Sequence, residues 1–357
     1  LLESGLDRGH AAGAAHPLNF DVFRHVYNLL LGFWKNLCPY YTRFFWEITV
    51  ALAIFFGKIK GGKQCGLYGE RMARRRRGDT GVKLHLETLR QAGLEAAGVL
   101  DARTAAPLLR RDIGPFGGVI VALFPYYAGS APGNLSLYAR GQDYHGVLRR
   151  RLERAAQLLG LEAQPYADVS PFDEVRLGQA AGLGGVGQNG LLMNRAFGSF
   201  FFIGELVTKQ ELAPLQGGME PACTGCGRCL RECPTGALRQ GGLQPALCLS
   251  HITQARRITP HQQALLQRST LIWGCDTCQL CCPANLGLEP TALSEFSQGL
   301  LCSLGEGELG GLSDRAFRRA YGGRAFCFRG IRPLARNLEL CAQEALRKDG
   351  SLPQREQ

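Results

Sequence analysis

CTGCGRCLRECPTGAL, residues 223–238, sets four cysteines at C-x2-C-x2-C-x3-C-P spacing. That spacing is the bacterial ferredoxin pattern for holding a cubane iron–sulfur cluster on thiolates. Three thiolates must converge on one cube from a tight turn, and the proline stops the helix that the last cysteine would otherwise enter. A second, split set follows. Cys248 stands alone, and GCDTCQLCCPAN, residues 274–285, adds Cys275, Cys278 and Cys282 before Pro283. In two-cluster ferredoxins the fourth cysteine of each run crosses to the other cluster. The pattern therefore predicts one 4Fe-4S cluster on Cys223, Cys226, Cys229 and Cys282, and a second on Cys233, Cys248, Cys275 and Cys278. Zinc takes four ligands in two well-separated pairs, for which a three-cysteine run closed by Cys-Pro is poorly built. Cys281 adjoins a ligand and is expected to be dispensable, because two neighbouring thiolates would have to face one cube.

The chain has 357 residues and is 45% hydrophobic, enough to bury a core and form two or three domains. Fourteen cysteines, clustered at metal spacings in a chain this long, fit a reducing compartment better than a secreted disulfide scaffold. A cytoplasmic protein is expected, with Cys38, Cys65, Cys302, Cys327 and Cys341 as buried or neutral thiols. A net charge of +11 and a pI near 9.1 favour a polyanionic partner such as nucleic acid.

Residues 1–71 differ from the rest. Their longest uncharged run, Ile48 to Gly57, is far short of the roughly 20 apolar residues that span a bilayer. Met72 is the first methionine, and we read it as the start, with a translated leader upstream and no stable membrane association. The basic run Arg74–Arg77 reads as a solvated start. The segment from Val82 to Gly98 has helical periodicity. Val119 to Phe124, between Gly118 and Pro125, reads as a fully buried strand. An amphipathic helix follows, with Val147, Leu148, Leu152, Ala155, Leu158 and Leu159 on its apolar side. Gly160 ends it, and a short strand leads to Asp168. After a further helix and loop, GSFFFIGELVT, residues 198–208, supplies a second buried strand. Strand and helix alternate, which predicts an α/β fold. The expected segments are 72–220, an α/β domain; 221–290, a ferredoxin-like double-cluster domain; and 291–357, a helical cap. In that cap Arg315, Arg318, Arg319, Arg324, Arg329, Arg332 and Arg336 recur among aromatics, as a packed cap or a nucleic-acid-facing strip would require.

GLGGVG, residues 182–187, matches the G-x-G-x-x-G dinucleotide fingerprint, which needs a strand before it and a helix after it. The context is inverted, with a helical segment before and GQNGLLMN after. The expectation is a loop whose bare backbone meets some other large flat ligand.

These features in this order resemble the epoxyqueuosine reductase family, over roughly residues 118–340. The resemblance rests on YARGQDYHGVL (138–148), on DVSP (168–171) followed by AGLG-x-x-G-x-N (181–189), on GSFFFIGELVT, on the split cysteine pattern and on RNLEL (336–340). It implies an α/β cobalamin-binding domain followed by the two-cluster domain. The implied activity is reduction of epoxyqueuosine to queuosine in tRNA, with cobalamin, two 4Fe-4S clusters and an external electron donor, by a monomer. It also implies that Asp168 is the acid that protonates the departing oxygen, and that Asn189, Ser250 and Asp276 hold the corrin. A carboxyl serves as a neutral acid near pH 7 when burial raises its pKa, and Tyr166, Val169 and Phe172 are expected to provide that burial. Without the resemblance, Asp168 reads as a helix N-cap ahead of Pro171.

The chain departs from the family pattern at three places. It has Glu174-Val175 where Glu-Arg is usual, Gly185 in place of tryptophan, and Gln188 in place of lysine. These changes allow a divergent member acting on another epoxide or a halogenated compound. A ferredoxin-type electron carrier is the alternative from another class, and a dinucleotide-dependent oxidoreductase a third. The α/β segment before Cys223 would have no purpose in a carrier.

Overall fold

The computed structural model describes residues 81–348, with side chains as far as residue 342. The leader, the Met72 start, the Arg74–Arg77 run, Cys38 and Cys65 lie outside the described residues.

Helix α1 (Leu86–Gln91) precedes strand β1 (Ala96–Asp101), then β2 (Gly118–Pro125), α2 (Tyr144–Leu159), β3 (Ala163–Ala167) and α3 (Glu174–Ala180). A hairpin of β4 (Gly185–Val186) and β5 (Leu192–Met193) leads to β6 (Phe201–Thr208). The main sheet runs β1-β2-β6-β3, and every ladder is antiparallel. Helix and sheet alternate as the sequence suggests. The ladders are antiparallel even though long connections, residues 102–117, 126–162 and 168–200, join the strands of this sheet.

Strand β2 is an unbroken apolar run because both of its faces are covered. Ile120, Ala122 and Phe124 feed the core on one side, with Val147, Leu148, Leu152 and Ala155 of α2. Val119, Val121 and Leu123 feed the other, with Leu177 and Ala181 at α3. Helix α2 matches its expected face except at its end, where Leu158 is 53% exposed and Ala156 is buried instead. Gly160 closes the helix in the left-handed region at φ 64°. The helical reading of Val82–Gly98 is corrected: only Leu86–Gln91 is helix, and Ala96–Asp101 is strand. Ala96, Ala97 and Gly98 are too small to mark a helical period, and they pair in register with Leu123, Ala122 and Val121.

The cysteine-bearing part carries the short helices α4 (Arg228–Arg231), α5 (Leu249–Gln254), α6 (Pro260–Gln267) and α7 (Thr277–Leu280). The tail adds α8 (Asp314–Tyr321) and α9 (Ile331–Lys348). A third core joins all three parts of the chain: Leu135 and Ala139, then Ile272 and Trp273, then Phe317, Phe326 and Leu334. The RNLEL motif works as a clasp within it. Asn337, fully buried, donates from Nδ2 to the carbonyls of Thr253 and Ile272, both at 2.8 Å, and Arg336 donates to Ala255 O at 2.8 Å. Among the described residues no helix is long and apolar enough to cross a membrane.

Candidate active site

Two hollows lie against the cysteine segment. One, of about 300 Å³, is bordered by Cys223, Cys226, Cys229 and Cys282, together with Asn189 and Arg228. The other, of about 520 Å³, is bordered by Cys233, Cys248, Cys275 and Cys278 on one side and by Tyr126, Tyr138, Phe201 and Phe202 on the other. The second cysteine run is fixed between sheet and loop by buried polar groups. Gln279 Nε2 donates to Ser199 O at 2.9 Å, and Asn285 Oδ1 accepts from Ser199 N at 2.9 Å. Cys281 borders neither hollow, and its Sγ lies 3.7 Å from Cys278 O. Cys327 is buried, and burial raises the pKa of its thiol. Burial raises that of Cys341 to about 11.

Donor chemistry at the hollows fits the groups expected there. Asn189 is buried and borders both; its Oδ1 accepts from Leu191 N at 3.2 Å, while its Nδ2 has no protein partner. A buried amide donor without a partner is costly. It suits a ligand rimmed with carbonyl acceptors, as the amide-bearing edge of a corrin is. Ser250 borders the larger hollow, and its hydroxyl accepts from Gln254 at 3.3 Å. Asp276 behaves otherwise. Its carboxylate accepts from Ser136 Oγ and from Leu137 N at 2.8 Å, tying the loop between Cys275 and Cys278 to the segment that carries Tyr138. It does not border the hollow, so its first duty is to hold Tyr138 in that wall.

The glycines of GLGGVG approach the protein's own chain. A Cβ on Gly184, at φ 145°, would lie 2.3 Å from Met193 O, and one on Gly185 would lie 2.9 Å from Pro221. At these two positions the loop's bare backbone is used for packing.

Asp168 follows β3 at the left-handed φ of 64°, the only non-glycine among the described residues with a positive φ. Three contacts hold its loop. Asp168 N donates to Glu174 Oε1 at 2.9 Å, Arg111 donates to Val169 O at 3.0 Å, and Ser170 Oγ bonds Glu205 Oε2. The N-cap of α3 is Asp173, not Asp168. Asp168 itself is exposed, with 56% of its side chain accessible, and Val169 is 64% exposed, so the expected apolar burial is not there. The Asp168 carboxyl is held below the usual range, first by its hydrogen bond to His145. The proton-bearing groups are its neighbours, to which the sequence reading gave no such role. Burial, with the nearby Asp168 charge, raises Glu174 to about 7, and burial raises Glu205 to about 8. His145 is raised to about 9 by its bonds to Asp143 and then Asp168. The D-Y-H triplet of residues 143–145 was the available signal.

Glu205 carries a pH dependence of its own. It is fully buried, and one carboxyl oxygen has no partner. A carboxyl whose pKa is higher folded than unfolded costs stability as pH rises from its ordinary value of 4.5 through about 8. Glu205→Gln keeps an acceptor for Ser170 and removes the titration. The variant is expected to melt higher than the parent at pH 8, by about 2–4 °C for each kcal/mol recovered, with no gain at pH 5. Thermal melts across that range check it.

Two family models match. Residues 222–285 match the 4Fe-4S double cluster binding domain, and residues 116–172 match "Epoxyqueuosine reductase QueG, DUF1730". The epoxyqueuosine reductase of Lactococcus garvieae is 36% identical over 213 residues, covering 58% of this chain and 60% of that protein. The chain thus spans less than two thirds of that relative's length. Among solved structures, the epoxyqueuosine reductase of Streptococcus thermophilus superposes with a TM-score of 0.60 at 24% identity, covering 72% of this chain and 80% of that one. An epoxyqueuosine reductase solved with an epoxyqueuosine-modified tRNA-Tyr stem loop gives 0.61 at 22% identity, with the same coverage. In the two cysteine runs and the strand-to-loop segment that carries Asp168 the chain is thus similar in sequence to the epoxyqueuosine reductases, and it shares their fold.

Proposed function

We propose that this chain reduces epoxyqueuosine to queuosine in tRNA, using two 4Fe-4S clusters and cobalamin. The observation that carries this reading is the pair of hollows, which share Asn189. Their borders divide the eight cysteines into the sets that crossover ligation requires, four for each cluster. The aromatic wall of Tyr126, Tyr138, Phe201 and Phe202 offers the apolar side of a seat for cobalamin, with Asn189 and Ser250 as polar holds. Bound there, cobalamin would supply a cobalt centre able to relay single electrons to the epoxide.

The chain's own residues do the rest. Tyr144 stacks on Phe202 at 4.2 Å between ring centroids, so the proton-bearing segment is anchored to the wall of the larger hollow. Asp168, one residue past β3 and in hydrogen-bonding distance of His145, is the group we assign to protonate the departing oxygen. The tRNA would meet basic residues of the tail. Arg324 is spent on the carbonyls of Arg140, Gly141 and Gly299, Arg336 on Ala255, and Arg318 pairs with Asp314. Arg315, Arg319, Arg329 and Arg332 are exposed, and Arg329 lies 4.7 Å over the exposed ring of Phe328, an arrangement suited to a phosphate backbone and an unstacked base. We place the protein in the cytoplasm as a monomer served by an external one-electron donor.

The test is anaerobic purification with cobalamin present, then incubation with epoxyqueuosine tRNA and a strong reductant. The expected outcome is a corrinoid absorbance band, two clusters, and queuosine in the digested tRNA. Clusters without bound corrinoid would favour the carrier. Bound corrinoid with untouched tRNA would favour another epoxide or a halogenated substrate, with Val175, Gly185 and Gln188 as the cause.

A further inference from the structure

Converting an epoxide to an alkene breaks two C–O bonds, forms one C–C π bond and releases the oxygen as water. The balance is two electrons, from the one-electron donor, and two protons. One carboxyl carries one proton, and Asp168 is ionised in its resting contacts.

We propose, resting on the functional reading above, that His145 is the proton store behind Asp168: each proton leaves His145 Nε2, crosses the Asp168 carboxylate and reaches the departing oxygen. His145 is in this sense a positioning and supplying residue, acting through Asp168.

The geometry is specific. His145 sits in the first turn of α2, with its ring stacked on Tyr144 at 4.0 Å between centroids. Its Nδ1 lies 2.7 Å from Asp143 Oδ1, and its Nε2 lies 3.2 Å from Asp168 Oδ2. A neutral imidazole has one N–H and one lone pair, so it would turn a lone pair on one of these carboxylates. Only the imidazolium donates to both. The raised His145 pKa and the lowered pKa of both aspartates agree with that arrangement. The charged and titratable groups around the ring are Asp143, Asp168 and Tyr144, with Glu174 behind Asp168 and Tyr138 behind Tyr144. About a third of the His145 side chain, 32%, is accessible, which lets water recharge it between the two transfers. Substrate seated over Asp168 would strip its carboxylate of water and raise its proton affinity, moving the proton from Nε2 to Oδ2.

Asp143→Asn supplies a test that leaves the fold alone, because asparagine caps a helix as well as aspartate does. It removes the larger contributor to the His145 pKa and keeps Nε2 on Asp168. In the holoenzyme, turnover of epoxyqueuosine tRNA should fall as pH rises through about 9. In Asp143→Asn that fall should move toward the ordinary histidine value of about 6.5. In His145→Gln turnover at pH 7 should drop about 10²-fold or more and recover as pH falls toward the Asp168 range. The independent readout is NMR titration of ring-labelled histidine in the full chain, with the His145 signal identified by its absence in His145→Gln. A midpoint well above 6.5, lowered in both Asp143→Asn and Asp168→Asn, supports the pair. A His145 that titrates as an ordinary histidine, or an alkaline limb that stays in place in Asp143→Asn, overturns it. A titration as expected in a chain that leaves the tRNA untouched would support the pair and overturn the substrate reading alone.

Discussion

Asp168→Asn is expected to lower epoxyqueuosine turnover about 10²- to 10⁴-fold, the usual cost of losing a positioned proton donor, with both clusters and cobalamin still bound. The substitution keeps the shape of the side chain, and the amide oxygen can still accept from His145 Nε2. It removes the carboxylate through which a proton can pass. Little stability is at stake, because the Asp168 side chain is 56% exposed and an exposed ion pair contributes about 0–1 kcal/mol. The loop keeps its other ties, since Glu174 accepts from the Asp168 backbone and Glu205 bonds Ser170. Iron content, corrinoid absorbance and nucleoside analysis of the tRNA, measured on one preparation, separate the outcomes. Normal turnover would remove Asp168 from the chemistry, and loss of corrinoid would make it a cofactor contact.

Cys282→Ser is expected to halve the iron content, and Cys281→Ser to leave it unchanged. The two positions are adjacent, yet only Cys282 borders the smaller hollow, with Cys223, Cys226 and Cys229 from the first run. The Sγ of Cys281 lies 3.7 Å from the carbonyl of Cys278, one turn back along α7. Serine is a weak substitute for a thiolate on iron, so one cluster should be lost selectively, and electron paramagnetic resonance of the reduced protein should show one spin system where the parent shows two. Equal iron loss in both variants would sink the crossover assignment.

The parts of the fold legible in the sequence were those whose cause is local. The cysteine spacing is local because three ligands come from one turn, and α2 announces itself through a 3.6-residue apolar period. Strand β2 is visible because covering on both faces leaves it no polar position. Strand β1 was hidden, since Ala96, Ala97 and Gly98 carry no period and pair only with residues of β2. The proton network was hidden for a related reason. Glu205 reads as an ordinary strand residue until β3 brings Tyr166 opposite it and the following loop lays Ser170 on its carboxyl. His145 and Asp168 are joined only because α2 and β3 pack together. Asp168 was found through the family pattern, but its ionisation depends on a neighbour 23 residues away, which no reading of DVSP alone supplies.

The interleaved borders of the two hollows also set an order for biogenesis. The smaller one needs Cys282 beside residues 223–229, and the larger one needs Cys275 and Cys278 beside Cys233. Under the proposed crossover ligation, a nascent chain that has released only the first cysteine run would have three thiols for one cube and a single thiol for the other. Neither cluster can be completed until the second run has left the ribosome and docked on Ser199 and Ser136. Under that ligation cluster completion would follow release of Cys282, and a carrier that donates clusters would have to recognise the folded surface in preference to a linear cysteine motif.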